Sequence, residues 1–159
     1  MAASIIRIAQ LADGDSVVEM RTLLWPESSR EEQAREFDAW LAREKAGKLP
    51  AAILPAAIFV SQDGDGTLIG FLEVSLRSHA DGCDIEQPVG YVEGWFVREG
   101  FRCRGIGAEL MRASEDWARG LGCIEMASDA LIDNEASQNA HQALGFAEVD
   151  RCVHFRKNL

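Results

Sequence analysis

The sequence predicts a single α+β domain in which strands and helices alternate along the chain. Its 159 residues are enough for one ordinary hydrophobic core and too few for two. Hydrophobic residues make up 47% of the chain and charged residues 26%, which is a globular composition. Between turn signals the apolar spacing switches repeatedly from a strand period to a helix period. We therefore expect residues 1–159 to fold as one domain.

Local signals place the elements. Trp25-Pro26 should end a helix, because the residue before a proline is pushed out of the α region. Ser29 and Glu32 form a capping box that should open the next helix, and Asp63-Gly64-Asp65-Gly66 is typical of a hairpin turn. The predicted order is a strand over 4–10, helices over 13–25 and 29–47, strands over 56–61, 68–76 and 90–97, a helix over 105–120, a strand over 124–129, a helix over 134–145, and a last hairpin of 147–150 and 153–157.

The charge balance excludes one class of partner. There are 26 Asp and Glu residues against 16 Lys and Arg residues, giving a net charge of -10. A nucleic-acid partner would need a basic face, so we expect none. A cationic substrate fits this charge, although an acidic surface also serves solubility alone.

Cysteine and hydropathy patterns exclude further classes. The cysteines Cys83, Cys103, Cys123 and Cys152 form no C-x-x-C pair and no ligand spacing with the histidines, so we expect no metal site. The longest uncharged apolar run, residues 49–60, is far short of the roughly 20 residues that span a bilayer. With no signal-peptide pattern at the start of the sequence, we expect reduced thiols, no membrane association and a cytoplasmic location.

The most informative stretch is a strand followed by a glycine-containing loop and a helix. Arg102-Cys103-Arg104-Gly105-Ile106-Gly107 leads into a helix with apolar positions at Ile106, Leu110, Met111 and Trp117. A helix start exposes backbone N–H groups and a positive dipole end, so glycines there allow a pyrophosphate to approach. The spacing matches neither the P-loop nor the dinucleotide fingerprint. Taken alone, two such glycines are equally typical of a plain turn into a helix.

Several polar and aromatic residues stand at candidate site positions. Trp25 follows a helix, where it either packs or forms the aromatic wall of a pocket. Glu93 precedes Gly94, which marks a bulge or a place where another backbone comes close. Asp129 ends a strand. Without further information each carboxylate is better explained as a cap or a solvated group than as part of a site.

The Arg-x-x-Gly-x-Gly pattern of Arg102, Gly105 and Gly107 resembles the acetyl-CoA pyrophosphate loop of the GNAT superfamily of N-acetyltransferases. Asn134 begins a helix that closes in Leu144-Gly145-Phe146, which resembles the closing segment of the same superfamily. The element order agrees as well. The resemblance implies an α/β/α layered fold with a central mixed, mostly antiparallel sheet that is splayed in the middle and flanked by four helices. It also implies one acetyltransferase domain over 1–159.

Further segments resemble the aminoglycoside 6'-N-acetyltransferases of type I. They are Trp25-Pro26, Asp81-Gly82-Cys83-Asp84, Glu93-Gly94, Met126-Ala127-Ser128-Asp129, and Ser137-Gln138 with His141-Gln142-Ala143-Leu144-Gly145-Phe146. The resemblance implies acetyl transfer from acetyl-CoA to the 6'-amino group of antibiotics of the kanamycin and tobramycin class, hence antibiotic resistance, and a homodimer.

Site residues follow from the resemblance by position. The cofactor would contact Trp95, Phe96, Val97, Arg102, Cys103, Arg104, Gly105, Ile106, Gly107, Ala108 and Asn134. The aminoglycoside would contact Trp25, His79, Glu93, Asp129 and Asp150. An aminoglycoside is a polycation, so carboxylates spaced around a cleft with few cations suit it.

The expected reaction is direct attack by the neutral amine, without an acyl-enzyme. Glu93 is the candidate to orient the amine and relay its proton, and backbone N–H groups near Phe96 and Val97 would stabilise the oxyanion. Many superfamily members use a tyrosine to protonate the leaving thiolate, and here His141 takes that position. His141 can serve as the acid, bond the cofactor or only pack. Cys103 lacks an activating histidine and is interpreted as a spectator.

Two alternatives remain open from the sequence. The same fold can acetylate a polyamine, a small metabolite amine or a protein N-terminus. A cofactor-binding module without catalysis is the other, although the intact loop, Asn134 and the pocket carboxylates argue against it.

Overall fold

The computed structural model describes residues 4–47 and 53–159. The start of the apolar run 49–60 therefore lies outside the described residues. The strands are β1 (Ile5–Ile8), β2 (Ala56–Gln62), β3 (Leu68–Arg77), β4 (Val89–Val97) and β5 (Met126–Ser128), and the helices are α1 (Gly14–Leu24), α2 (Arg30–Ala46), α3 (Ile106–Gly120) and α4 (Glu135–Ala143). Short 3-10 turns precede α1 and follow β4.

The five strands form one mixed sheet in the order β1-β2-β3-β4-β5. The first three pairings are antiparallel, and β5 runs parallel to β4. β5 pairs only with Gly90, Tyr91 and Val92, so the later part of β4 has no second neighbouring strand within residues 4–47 and 53–159. The sheet is therefore open beyond Val92, as the predicted splay requires.

Helices cover both faces of the sheet, because each face is apolar. On one face Phe71 packs with Val17 and Met20 of α1 and with Phe37 of α2. On the other face Leu110 of α3 packs with the other side of the strands. Burying these side chains is the main driving force for the layered arrangement. The predicted α/β/α fold with four helices is confirmed.

The cap signals are confirmed in detail. Ser29 Oγ accepts a hydrogen bond of 3.2 Å from the Glu32 N–H, and Glu32 Oε2 accepts one of 2.9 Å from the Ser29 N–H. Trp25 is the C-cap of α1, and Gly47 ends α2 with a left-handed φ of 66°. Asp13 is the residue before α1, but its side chain does not cap the helix: its carboxylate accepts two hydrogen bonds from Arg7 and one from the Gln10 N–H.

The predicted final hairpin is wrong. Residues 147–159 contain no regular secondary structure and are exposed along their whole length. The apolar alternation of Val149, Val153 and Phe155 suits a strand, but a strand also needs a partner ladder. Within the described chain no strand pairs with this segment.

Within residues 4–47 and 53–159, every helix is too short or too polar to cross a membrane. In the same part of the chain, no three His, Cys, Asp or Glu side chains are grouped as metal ligands.

Candidate active site

Glu93 is the extra residue of a β-bulge. The register passes from Glu73 opposite Gly94 to Val74 opposite Val92, so Glu93 has no partner on β3. A bulge re-aims the side chain that it carries. Here the Glu93 carboxylate accepts hydrogen bonds from Ser75 Oγ and from the Arg77 guanidinium. The predicted irregularity at Glu93-Gly94 is thus present.

Gly94 allows Trp25 to approach β4. A Cβ at position 94 would lie 2.5 Å from Cη2 of the Trp25 indole, so any larger residue would push the ring away. The indole also packs edge-on against Phe71, with ring centroids 6.3 Å apart. The Arg21 guanidinium lies over the indole, 4.9 Å from the ring centroid. The predicted close approach comes from this side chain and not from another backbone.

Trp25 and Glu93 line the same cavity, which has a volume of about 430 Å³. Three further carboxylates line it, those of Glu27, Glu36 and Glu73. A polar, acidic concavity of this kind suits a cationic ligand.

The floor of this cavity is a buried polar network that the sequence interpretation missed. Arg21 is only 2% exposed and donates to Gln33 Oε1 at 2.7 Å and to the carboxylates of Glu36 and Glu73. Burial raises the pKa of Glu73, and the Arg21 charge opposes this shift. The available signal was a glutamate in the middle of an apolar strand, since a charge there needs a partner.

A second arginine, Arg77, lies beside Glu93 at the end of β3. Arg77 Nε and Nη2 donate to Glu93 Oε1 and Oε2 at 2.9 and 2.6 Å. Its guanidinium lies 3.4 Å from the centroid of the Tyr91 ring. Burial and then the charge of Asp129 raise the pKa of Tyr91 to about 12. Arg77 was also missed, because nothing in the sequence shows which carboxylate it faces.

The glycine-containing loop has the backbone of an anion site. Gly105 precedes α3 with a φ of 84°, and Cys103 has a φ of 59°, a left-handed conformation that non-glycine residues seldom adopt. The first helical bond runs from the Glu109 N–H to the Gly105 carbonyl at 3.0 Å. The N–H groups of residues 106, 107 and 108 therefore stand at the open helix end.

Gly107 also makes room for the Trp95 indole, which the Arg-x-x-Gly-x-Gly pattern did not indicate. A Cβ there would lie 2.9 Å from Cζ2 of Trp95. The indole of Trp95 therefore packs directly on the start of α3 and joins this helix to β4. Arg102 makes a second link, because its Nε donates to the Val97 carbonyl at 2.9 Å.

His141 is held by contacts on four sides. Its Nδ1 lies 2.7 Å from the Ser137 carbonyl, so Nδ1 carries a proton, and Nε2 lies 2.8 Å from Ser128 Oγ. The rings of Trp95 and Phe146 flank it edge-on, each with a centroid separation of 5.3 Å. The structure therefore ties His141 to the end of β5 and to β4.

Asn134 caps α4, where its Oδ1 accepts a hydrogen bond of 3.0 Å from the Ser137 N–H. Because the cap uses the oxygen, the amide donor is the group that can turn toward a ligand.

Three predicted acceptor residues, His79, Asp129 and Asp150, do not line the acidic cavity. His79 is exposed in the loop after β3, where its Nδ1 lies 3.2 Å from the Oγ of Ser78. Asp150 belongs to the exposed segment 147–159, so its predicted place at a strand end is wrong; its carboxylate accepts a hydrogen bond of 2.7 Å from the Arg151 N–H. Asp129 does directly follow β5.

Known proteins share this architecture over nearly their whole length. The acetyltransferase (GNAT) family matches residues 16–146. An aminoglycoside N(6')-acetyltransferase type 1 from Klebsiella aerogenes is 39% identical over 98% of this chain and 97% of its own length. A solved structure of AAC(6')-Iy with the bisubstrate analogue CoA-S-monomethyl-acetylneamine is 33% identical, with a TM-score of 0.86 over 99% of this chain and 100% of that one.

A second solved structure, the ligand-free aminoglycoside 6'-N-acetyltransferase AAC(6')-IG from Acinetobacter haemolyticus, is 31% identical, with a TM-score of 0.83 over 98% of this chain and 99% of that one. The predicted resemblance is confirmed, and so is acetyl-CoA as the cosubstrate. The chain belongs to the acetyltransferase (GNAT) family, among relatives that are aminoglycoside N(6')-acetyltransferases type 1, and it is an acetyl-CoA-dependent N-acetyltransferase.

Proposed function

We propose that this enzyme transfers the acetyl group of acetyl-CoA to the 6'-amino group of aminoglycosides, including kanamycin and tobramycin, and thereby confers resistance. The observation that carries the proposal is the acidic cavity beside the open part of β4. It combines an aromatic wall, Trp25, with the carboxylates of Glu27, Glu36, Glu73 and Glu93. A polycationic sugar needs carboxylates and an apolar surface together, and this cavity supplies both.

Acetyl-CoA has a separate place on the other side of Glu93. The pantetheine arm would run along the backbone of Trp95, Phe96 and Val97, where β5 no longer pairs with β4. The pyrophosphate would meet the N–H groups of 105–108 and the side chains of Arg102 and Arg104. Asn134 would bond the arm through its amide donor. Cys103 contributes only main-chain groups to this loop, and its thiol takes no part in the reaction.

The amine attacks the thioester carbon directly, so it must be neutral when it reacts. Glu93 orients the amine and passes its proton to solvent. Its position at the bulge, at the edge of the cavity and next to the open strand, supports a role between the two substrates. The N–H groups near Phe96 and Val97 stabilise the oxyanion.

The leaving thiolate takes its proton from the pair formed by Ser128 and His141. Because Nδ1 carries a proton toward the Ser137 carbonyl, neutral His141 accepts a hydrogen bond from the Ser128 hydroxyl group at Nε2. When Nε2 has taken up a proton from solvent, it passes that proton to Ser128 Oγ while the hydroxyl group gives its own proton to the thiolate, which leaves His141 neutral and Ser128 a hydroxyl again. The packing of His141 between two rings fixes the geometry of this relay.

The enzyme acts as a cytoplasmic homodimer in this proposal. Val149, Val153 and Phe155 are 64%, 76% and 93% exposed, and these alternating apolar side chains would be covered by a second copy. Asp150 lies in the same segment, so association would bring it to an acceptor site. Sedimentation of the wild type against Phe155→Asp tests this, because a dimer should dissociate in the variant and a monomer should not change.

The deciding experiment is turnover of acetyl-CoA with kanamycin, tobramycin, spermidine and a short peptide. We expect kcat/KM to be highest for the two aminoglycosides. A much higher kcat/KM for spermidine or the peptide would refute the proposed acceptor while leaving the acetyltransferase activity in place.

A further inference from the structure

The Arg77 side chain lies where a cationic acceptor would be expected to bind. It donates two hydrogen bonds to the carboxylate of Glu93, at 2.9 and 2.6 Å, and it covers the face of Tyr91 at 3.4 Å. The negative charge of Asp129 also acts on it, after the hydrogen bonds and charge of Glu93, and raises its pKa. The carboxylate of Glu93 and the face of the Tyr91 ring therefore hold this cation.

This arrangement is a binding site for an ammonium group as well as for a guanidinium. A positive charge gains from an aromatic face within about 6 Å and from charge-assisted hydrogen bonds to carboxylates. An amine acceptor of the enzyme carries the same charge before it reacts. We call the group formed by the Glu93 carboxylate and the Tyr91 ring the Arg77 cage. The protein's own arginine occupies this cage, and the cationic substrate would be stabilised by the same two groups.

Glu93 cannot serve both cations well at once. A carboxylate offers about four lone-pair positions. Ser75 Oγ, Arg77 Nε and Arg77 Nη2 already use three of them. Both positions on Oε1 are taken, so an incoming ammonium group can contact both carboxylate oxygens only after Arg77 leaves.

Arg77 is able to leave without disturbing the sheet. It is the last residue of β3, paired with Val89, and its side chain is 43% exposed. Turning its side chain into solvent keeps the backbone ladder intact. Arg21, in contrast, is buried beneath the cavity and cannot move in this way.

We propose that the Arg77 guanidinium occupies the ammonium subsite formed by Glu93 and Tyr91 in the acceptor-free enzyme, that the acceptor displaces it, and that Arg77 thereby sets acceptor affinity. The inference rests on the proposed function in taking the acceptor to be a cationic amine. An acceptor that must displace an internal cation binds with an affinity reduced by the fraction of enzyme in the occupied state. Arg77 is thus a determinant of acceptor affinity and not a catalytic residue.

Calorimetry with Arg77→Gln tests the proposal. Removing the internal cation should tighten kanamycin binding by about fivefold, the scale of a half-exposed bidentate pair. Arg119→Gln makes the same change in net charge on α3, where Arg119 pairs with Glu115 and Asp116 and not with Glu93, and should leave the affinity unchanged. Arg77→Lys keeps a cation beside Glu93 and should stay close to the wild type. Acetyl-CoA affinity should be the same in all four proteins.

The opposite result would identify Arg77 as a support for Glu93. In that case Arg77→Gln would lower kcat and either weaken kanamycin binding or leave it unchanged, and the proposal would be overturned. Under the proposal KM should fall by more than kcat changes. Circular dichroism and the Tm of each variant establish that it is folded.

A spectroscopic readout is independent of turnover. Tyr91 is the chain's single tyrosine, so protein labelled with ¹³C at tyrosine Cζ gives one signal from this ring. Kanamycin should shift the signal in the wild type as it takes the place of Arg77, and Arg77→Gln alone should move it before ligand is added. A signal that stays in place at saturating kanamycin would overturn the proposal.

The aminoglycoside assignment and the role of Arg77 can fail separately. If the wild type acetylates spermidine and not kanamycin, the assignment fails, and the same comparison with spermidine decides the role of Arg77. If the wild type binds neither cation, the cage has no ammonium ligand and both ideas are wrong.

Discussion

The cofactor half and the acceptor half of the proposed site are built in different ways. The cofactor half consists of β4 residues 95–97 and loop residues 102–108, and it offers mainly backbone groups: an open strand edge, left-handed turns and a helix start. The acceptor half consists of the cavity and the Arg77 cage, and it offers side-chain charges from α1, α2, β3 and β4.

This difference indicates which substitutions can change the affinity for acetyl-CoA and which can change the affinity for the acceptor. Backbone groups bind a pyrophosphate only if the chain conformation is kept, so the glycines decide cofactor affinity. Charges on separate elements bind a polycation through electrostatics, so they respond to salt and to neutral substitutions. The predictions test this division, beginning with the largest effect.

Gly107→Val and Gly105→Asp should abolish acetyl-CoA binding. A side chain at 107 would strike Trp95, where even a Cβ would be 2.9 Å from the ring, and an aspartate at 105 would strain a φ of 84° and repel the phosphates. Calorimetry on folded protein measures the effect. Gly120→Ala at the other end of α3 meets no atom within 4 Å and is the control. Unchanged affinity in the first two variants would place the cofactor elsewhere.

His141→Phe should lower kcat by roughly a hundredfold with little change in acceptor affinity, since a general acid contributes on this scale. Phenylalanine keeps a ring between Trp95 and Phe146 but lacks both nitrogen atoms. Ser128→Ala should have a similar effect if the proton passes through its hydroxyl group. Steady-state kinetics with kanamycin separates kcat from KM. A normal kcat in both variants would show that His141 only packs.

Asp129→Asn and Asp150→Asn should each weaken kanamycin binding by about 1–3 kcal/mol, the range for hydrogen bonds to charged groups. Added salt should weaken binding in the wild type more than in these variants. Asp133→Asn, an exposed neighbour of Asp129, is the matched control. Glu93→Gln should instead act mainly on kcat. The acceptor half would be wrongly placed if both Asp variants bound kanamycin like the wild type.

Acid should destabilise the protein through the ion pairs Arg7–Asp13 and Arg98–Glu19. Hydrogen bonds from Arg7 lower the pKa of Asp13, and those from Arg98 lower the pKa of Glu19. A lowered folded-state pKa contributes stability above the ordinary value, and that stability is lost as pH falls through the folded pKa. Asp13→Asn should lower the free energy of unfolding by about 1–2 kcal/mol at pH 7.

Urea unfolding at several pH values measures this effect. Below pH 4 the loss of stability should be less steep in Asp13→Asn than in the wild type, because one titrating group has been removed. Arg119→Gln, which breaks an exposed helix pair, should keep the wild-type slope. Equal slopes in all three proteins would show that Asp13 contributes nothing to acid sensitivity.

Most elements were determined by the sequence alone, because their signals are local. The capping box at Ser29 acts within one turn, the helix end at Trp25 depends on the next residue, and the bulge at Glu93 follows from the adjacent glycine. The family assignment was also available, since it depends on short motifs at Arg102–Gly107 and His141–Phe146. The main-chain conformation of the cofactor half is also determined locally, because its glycines and helix start lie within the Arg102–Gly107 motif.

Only the tertiary structure decided which charges meet. Arg21 and Glu73 are far apart in the chain, and so are Arg77 and Glu93, and their pairing depends on how α1, β3 and β4 pack. The same is true of Gly107 against Trp95 and of His141 against Ser128. The failed hairpin of 147–159 has the same cause, because a strand exists only beside a partner. Local patterns determine an element, whereas contacts between elements depend on packing that no local pattern contains.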